Sequence, residues 1–139
     1  MSDRDRTVAG MTALAVVELV VADMAAALAF YARLGLEAPP GSQTEDHVEV
    51  GLPGGLKLAF DTESMIKSVD PRWTPPTGGH RVALAFQCAD PAEVDGVYTD
   101  LTAAGYDGHM APFDAFWGQR YATVVDPDGN HIDLYASLG

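Results

Sequence analysis

The chain is short of cysteine, of basic side chains and of long uncharged apolar runs, and each shortage removes a class of answer. Cys88 is the only cysteine in 139 residues. No intrachain disulfide can form, and no cysteine-based metal site. Its setting in the apolar run Ala83–Cys88 (ALAFQC) predicts a buried structural thiol rather than a reactive one. Lys and Arg number 8 against 20 Asp and Glu, for a net charge of −12. Such a surface repels phosphate backbones and anionic lipid heads, so nucleic acid and membrane partners are disfavoured. It favours solubility and attracts cationic ligands weakly. A membrane-spanning helix needs about 20 apolar residues with few charges. The one stretch worth testing, Met11–Phe30, is interrupted by Glu18 and Asp23. It does not read as a signal peptide either, because Asp3 and Asp5 offset Arg4 and Arg6 and Glu18 breaks the apolar core. Gly-x-Ser-x-Gly, P-loop and dinucleotide-binding glycine patterns are missing too. Residues 1–10 read as a disordered leader, and 11–139 as one cytoplasmic domain.

What is present is an internal repeat. Ala13–Val21 and Val82–Cys88 are apolar runs that end in Ala-Asp, at Asp23 and Asp90. Each Asp is placed to cap a helix by accepting its free amides, and Pro91 suits the first helical position. Apolar stripes follow through Met24, Leu28, Tyr31 and Leu34, and through Val94, Val97, Tyr98 and Leu101. Gly35 and Gly105 terminate the two helices. Strands are expected over Asp46–Gly51 and Leu56–Phe60, around the turn Leu52–Gly55. In the second half they are expected over Asp107–Ala111, Arg120–Val125 and Asn130–Ala136, the last two around Asp126–Gly129. The order is βαββ(β)–βαβββ, with modules at about 12–61 and 79–136 joined by a proline-rich loop at 62–78. Trp73 makes a freely solvated loop unfavourable.

The segment VVADMAAALAFYARLGLE (20–37) resembles the opening of a glyoxalase/bleomycin-resistance domain, and DPDGNHIDLY (126–135) resembles its closing hairpin. APFDAFWGQRYATVVDPDGN (111–130) is similar to the bleomycin-resistance-like branch. On these motifs the chain is identified as a member of the vicinal oxygen chelate superfamily. The resemblance implies an α+β fold: two βαβββ modules whose curved mixed sheets enclose a cleft. It also implies, for many members, a divalent metal held by a His on the first strand and a Glu on the last strand of each module. The corresponding first-strand positions here are Val16 and Ala83, which cannot ligate. The closing-strand position is Asp133, and its counterpart falls near Leu58 or Phe60. One carboxylate of four does not make a metal site, so no metal and no cofactor are expected. A relocated set drawn from Glu18, His47, Glu49, His131 and Asp133 is the alternative. His80 and His109 read as surface or turn histidines.

Alternation along the strands then gives a candidate ligand face. Ile132 and Leu134 should face the helix, and His131, Asp133 and Tyr135 the cleft. Val48 and Val50 likewise leave His47 and Glu49 toward the cleft, and Glu18 shares the face of Val16. Phe113, Phe116, Trp117 and Tyr121 lie too close together for all to enter one core. Flat rings suit a planar ligand, and a packing role between sheets or subunits is the competing reading. Trp117 is expected toward the cleft and Phe116 toward packing. The expected ligand-binding set is Glu18, His47, Glu49, Phe60, Trp73, Phe113, Phe116, Trp117, Tyr121, Asp133 and Tyr135. The expectation is a homodimeric protein that binds and sequesters a small aromatic compound, as in antibiotic resistance. A lyase, isomerase or dioxygenase, metal-dependent or using Glu18, His47 or Asp133 as acid or base, is the alternative, and no catalytic residue is assigned.

Overall fold

Both helices start where their Asp residues place them. In the computed structural model, which describes residues 12–139, the leader lies outside the described residues. Strand β1 (Val16–Val21) leads into helix α1 (Met24–Ala32), with the Asp23 carboxylate accepting the Ala26 amide at 3.1 Å. Strand β4 (Ala83–Gln87) leads into helix α3 (Pro91–Ala103), where Asp90 accepts the Glu93 amide at 2.8 Å. Capping satisfies an amide that the first helical turn leaves free. Past each helix the chain reverses at Gly35 (φ +89°) and Gly105 (φ +100°), a conformation that L side chains resist.

After α1 come β2 (His47–Gly51) and β3 (Lys57–Thr62). The bracketed third strand does not form among the described residues. Pro39 and Pro40 offer no amide to a ladder, and Gly41 turns the chain at φ +82° into a short 3₁₀ turn, Ser42–Thr44. The loop expected at 62–78 is likewise not loop throughout. Helix α2 (Glu63–Val69) begins on Thr62, whose hydroxyl accepts the Met65 amide. After α3 come β5 (Asp107–Ala115), β6 (Gln119–Val125) and β7 (His131–Ser137), so β5 runs four residues past its expected end.

The strands make two mixed sheets, ordered β1-β3-β2 and β4-β7-β6-β5, each with one parallel pair next to antiparallel ones. One face of each is apolar and covered. Val21, Val48, Val50, Leu58 and Phe60 pack beneath Met24, Ala27, Leu28, Phe30 and Tyr31 of α1, in a cluster that continues through Leu101, Val124 and Ile132 of the second module. The modules therefore share one core. Its centre is aromatic: Tyr31 meets Phe30 at 4.9 Å and Phe60 at 5.3 Å between ring centroids. The Tyr31 hydroxyl donates to Asp126 Oδ2 at 2.6 Å, across the boundary between modules. Burial, then that carboxylate, hold the Tyr31 phenol far above the ordinary tyrosine range. Asp126 also accepts the Asp128 and Asn130 amides and the Asn130 side chain, which fixes the β6–β7 turn. Cys88 is buried as expected, and burial raises its thiol.

Candidate functional site

The faces turned away from the helices carry the polar and aromatic groups. In the first sheet, register places Glu18, Ala59 and Glu49 in one row and Val20, Asp61 and His47 in the next. His47 is held at both ring nitrogens, Nδ1 to Asp61 at 2.5 Å and Nε2 to Glu49 at 2.9 Å. These bonds to Glu49 and Asp61 hold the imidazole above its ordinary range. Glu49 is lowered in turn by His47 and by Lys57, whose ammonium lies 3.2 Å away. The Glu18 carboxyl lies against Asp61 and is raised by that contact and by the neighbouring charge. Asp61, only 6% exposed at its side chain, is thus the hub of this cluster.

The second sheet presents rings. Trp117 meets Tyr121 at 5.3 Å and Phe113 at 6.3 Å, all edge-on, a geometry that ring quadrupoles favour. Tyr121 pairs in register with Tyr135 on β7 and with Phe113 on β5. The Tyr121 hydroxyl donates to Asp133 Oδ2 at 2.6 Å, and that of Thr123 to Oδ1 at 2.8 Å. Desolvation and Asp133 push the Tyr121 phenol up to about 12. The Trp117 indole N–H is occupied by Gln119 Oε1 at 2.8 Å, so the ring offers its face and not its donor.

The expected set thus divides. Glu18, His47 and Glu49 come together on the open face of the first sheet, and Phe113, Trp117, Tyr121, Asp133 and Tyr135 on that of the second. Phe60 is a correction. It is fully buried on the helix side of β3, where it fills core space under Tyr31 and faces no cleft. Phe116 is another. It stands on the β5–β6 turn 97% exposed, with its ring against Trp117 alone of the aromatic groups, and does not pack into the fold. Trp73 is half-buried away from the other rings. It shares a pocket of about 300 Å³ with Glu18, Val20, Glu63 and Asn130, and Lys67 Nζ lies 5.9 Å from its ring centroid. Asp61 escaped the sequence reading, although its parity with Ala59 on β3 could have found it. Also missed was an apolar pocket of about 490 Å³ between the modules, walled by Val17, Leu52, Leu58, Leu84 and Phe86.

The metal positions implied by the resemblance can be checked on the same registers. The row Ala85, Asp133, Thr123 in the second sheet matches Glu18, Ala59, Glu49 in the first. The counterpart of Asp133 is therefore Ala59, neither Leu58 nor Phe60, and it cannot ligate. Val16 and Ala83 cannot either, which leaves Asp133 as the one ligating side chain among the four positions. This donor set does not fit a divalent ion. Among the described residues no group of three or more His, Cys, Asp or Glu is arranged to hold one, and no helix is long and apolar enough to cross a membrane.

Two helix-backed sheets with a shared core and open inner faces define an α+β architecture used for small-molecule clefts. The chain belongs to the glyoxalase/bleomycin resistance protein/dioxygenase superfamily, whose family model matches residues 13–134. Among solved structures it is similar to a glyoxalase/bleomycin resistance protein/dioxygenase family enzyme from Burkholderia phytofirmans PsJN (20% identity, 91% of this chain and 100% of that one, TM-score 0.78). It is also similar to a family member from Nocardioides (23% identity, 99% and 94%, TM-score 0.72) and to protein ATC0852 from Agrobacterium tumefaciens (28% identity, 93% and 100%, TM-score 0.70). Comparison with curated proteins finds no match.

Proposed function

We propose that the protein is a metal-independent binder that sequesters a planar aromatic compound on its open inner face, as an antibiotic-resistance protein of the cytoplasm does. The observation that carries this reading is the ring wall of Phe113, Trp117 and Tyr121, which shares a sheet face with Asp133 and Tyr135. Offset or edge contacts with a flat ligand add about 0.5–1.5 kcal/mol per pair beyond buried area. The acids of the first sheet favour a ligand with polar or cationic substituents and disfavour a fatty chain. The working unit in this proposal is a homodimer with two equivalent clefts. Light scattering should report twice the chain mass at micromolar concentration, and a monomer would remove that part of the proposal.

The decisive experiment is a thermal-shift screen of polyaromatic natural products and divalent metals, since a ligand that binds only the native state raises the melting temperature. A planar compound should raise it, and metals should not. Stabilisation by a metal alone, with about one ion per chain by elemental analysis, would overturn the reading.

The pairing of His47 with the buried Asp61 favours a second reading, acid/base catalysis, because a carboxylate that orients an imidazole is a common catalytic arrangement. Turnover of a bound compound that is lost in His47→Gln, with its binding retained, would establish that reading over sequestration.

A further inference from the structure

Where the modules meet, each sheet ends on a strand whose outer edge is unpaired, β1 in the first and β4 in the second. Parity fixes which main-chain groups are left over. Cys88 donates its amide to the Tyr135 carbonyl, so Leu84 and Phe86 also bond toward β7, and Ala83, Ala85 and Gln87 point outward. The Lys57 amide donates to the Ala15 carbonyl, which turns Val16 and Glu18 outward on β1. Among the described residues no hydrogen bond reaches these outward amides and carbonyls. The two edges do not satisfy each other, since their Cα atoms stay mostly beyond 8 Å, where a ladder needs about 5 Å. The strap that joins the modules, residues 70–82, borders β1 at Glu18–Val20 and lends nothing to the apolar pocket between the edges. That pocket, of about 490 Å³, has no charged side chain in its wall, which includes Val17, Leu56, Leu58, Leu84, Phe86 and Gln87.

The other two edges are guarded against a stray strand. β2 carries His47 and Glu49, and β5 carries Pro112 and two register shifts. The β4 edge has no charge, proline or bulge, and β1 has one charge, Glu18. We infer that the slot between β1 and β4 docks an extended, apolar peptide strand of a partner protein. Its main chain pairs along β4 and with Val16 and Glu18 of β1, and its alternate side chains fill the pocket. A strand inserted between two others sets them about 9.6 Å apart, two strand spacings, which agrees with edges that stand beyond 8 Å. The five residues of β4 set the length of the docked stretch. Outward amides and carbonyls recognise a main chain, and the uncharged wall selects apolar side chains at every second position. The net charge of −12, with Glu18 and Glu37 beside residues of the pocket wall, selects a partner with basic residues beyond that stretch. The inference does not depend on which ligand the open face binds.

The test uses the full chain and a synthetic probe, an acetylated and amidated hexapeptide that alternates valine with threonine after an N-terminal lysine. With the probe at about 1 mM, amide hydrogen exchange read by NMR should slow roughly tenfold or more at Ala85 and Gln87 and at Val16 and Glu18, relative to amides of α3. The same peptide N-methylated at alternate residues keeps its side chains but loses the donors of one edge, and it should bind at least roughly tenfold more weakly. In the protein, Ala85→Pro removes one outward amide and spares the β4–β7 ladder, because a strand accepts proline where its nitrogen faces outward. It should weaken the unmodified peptide by a similar factor, and the methylated peptide gives the same reading with the protein unaltered. Equal binding of the two peptides, or no slowing at these amides, would overturn the inference. So would outward amides already protected in the free protein at twice the chain mass, since a second copy would then fill the slot.

Discussion

The two sheets lay out their open faces on the same grid and fill it with opposite chemistry. Row by row across β1-β3-β2 the residues are Val16, Lys57, Gly51; Glu18, Ala59, Glu49; and Val20, Asp61, His47. The equivalent rows across β4-β7-β6 are Ala83, His131, Val125; Ala85, Asp133, Thr123; and Gln87, Tyr135, Tyr121. Where the first sheet has Asp61 and His47, the second has two tyrosines, with Phe113 of β5 and Trp117 of the β5–β6 turn beyond them. The histidines differ in kind. His47 sits among carboxylates that favour its charge, whereas burial, then the neighbouring imidazoles, oppose that of His131. One backbone repeat thus supplies a polar wall and a stacking wall, which a single symmetric cleft could not do.

The severest test of this division is the parity of β3. Phe60→Ala should cost about 3–5 kcal/mol in chemical denaturation, as buried aromatic truncations do, with ligand binding by the folded fraction unchanged. A cost below about 1 kcal/mol combined with weakened binding would mean that the faces are reversed. Next in size is Tyr31→Phe, which strips the inter-module donor from Asp126 and should cost about 1–3 kcal/mol. A neutral result in denaturation would show that the modules are held by apolar contact alone. Trp117→Ala should weaken a planar ligand roughly tenfold by calorimetry, since lost stacking and area together approach 1.4 kcal/mol. Its unfolding free energy should move by less than about 1 kcal/mol, because the ring is 49% exposed. Several kcal/mol of lost stability with normal binding would return Trp117 to the core.

The smallest effect is one of sign. The stability that His47 gains from its partners is fully present below about pH 6.5 and is lost as pH rises through its raised folded value. The contribution of His131 runs the other way, present above about pH 6.5 and lost as pH falls. Melting curves of His47→Gln and His131→Phe should therefore depart from the wild type at opposite ends of the neutral range. Departures at the same end would erase the contrast between the walls.

How much of this could be read in the sequence depended on whether alternation was unbroken. Along β7, His-Ile-Asp-Leu-Tyr alternates cleanly, and the structure buries Ile132 and Leu134 while leaving His131, Asp133 and Tyr135 on the open face. Along β3, Leu58, Ala59 and Phe60 are all apolar and all buried, so hydropathy could not assign the faces. Phe60 was placed on the wrong one, and Asp61 fell just past the expected strand end. Register shifts between Asp107 and Phe113 break the periodicity of β5, so the directions of its rings could not be counted off. The stack of His80, His109 and His131 joins a strap and two strands far apart in sequence, and no local pattern announces such a contact.

Asp126 ties a local turn and a distant helix to one carboxylate, which bears on how the chain comes together. The amides of the β6–β7 turn hold that carboxylate in place, and the Tyr31 hydroxyl of the first module donates to it. Cut within the strap, the two halves should consequently recombine when mixed. Fragment complementation would then report on the Tyr31–Asp126 seam directly, with assembly of the separated pieces slowed or lost when either partner is changed.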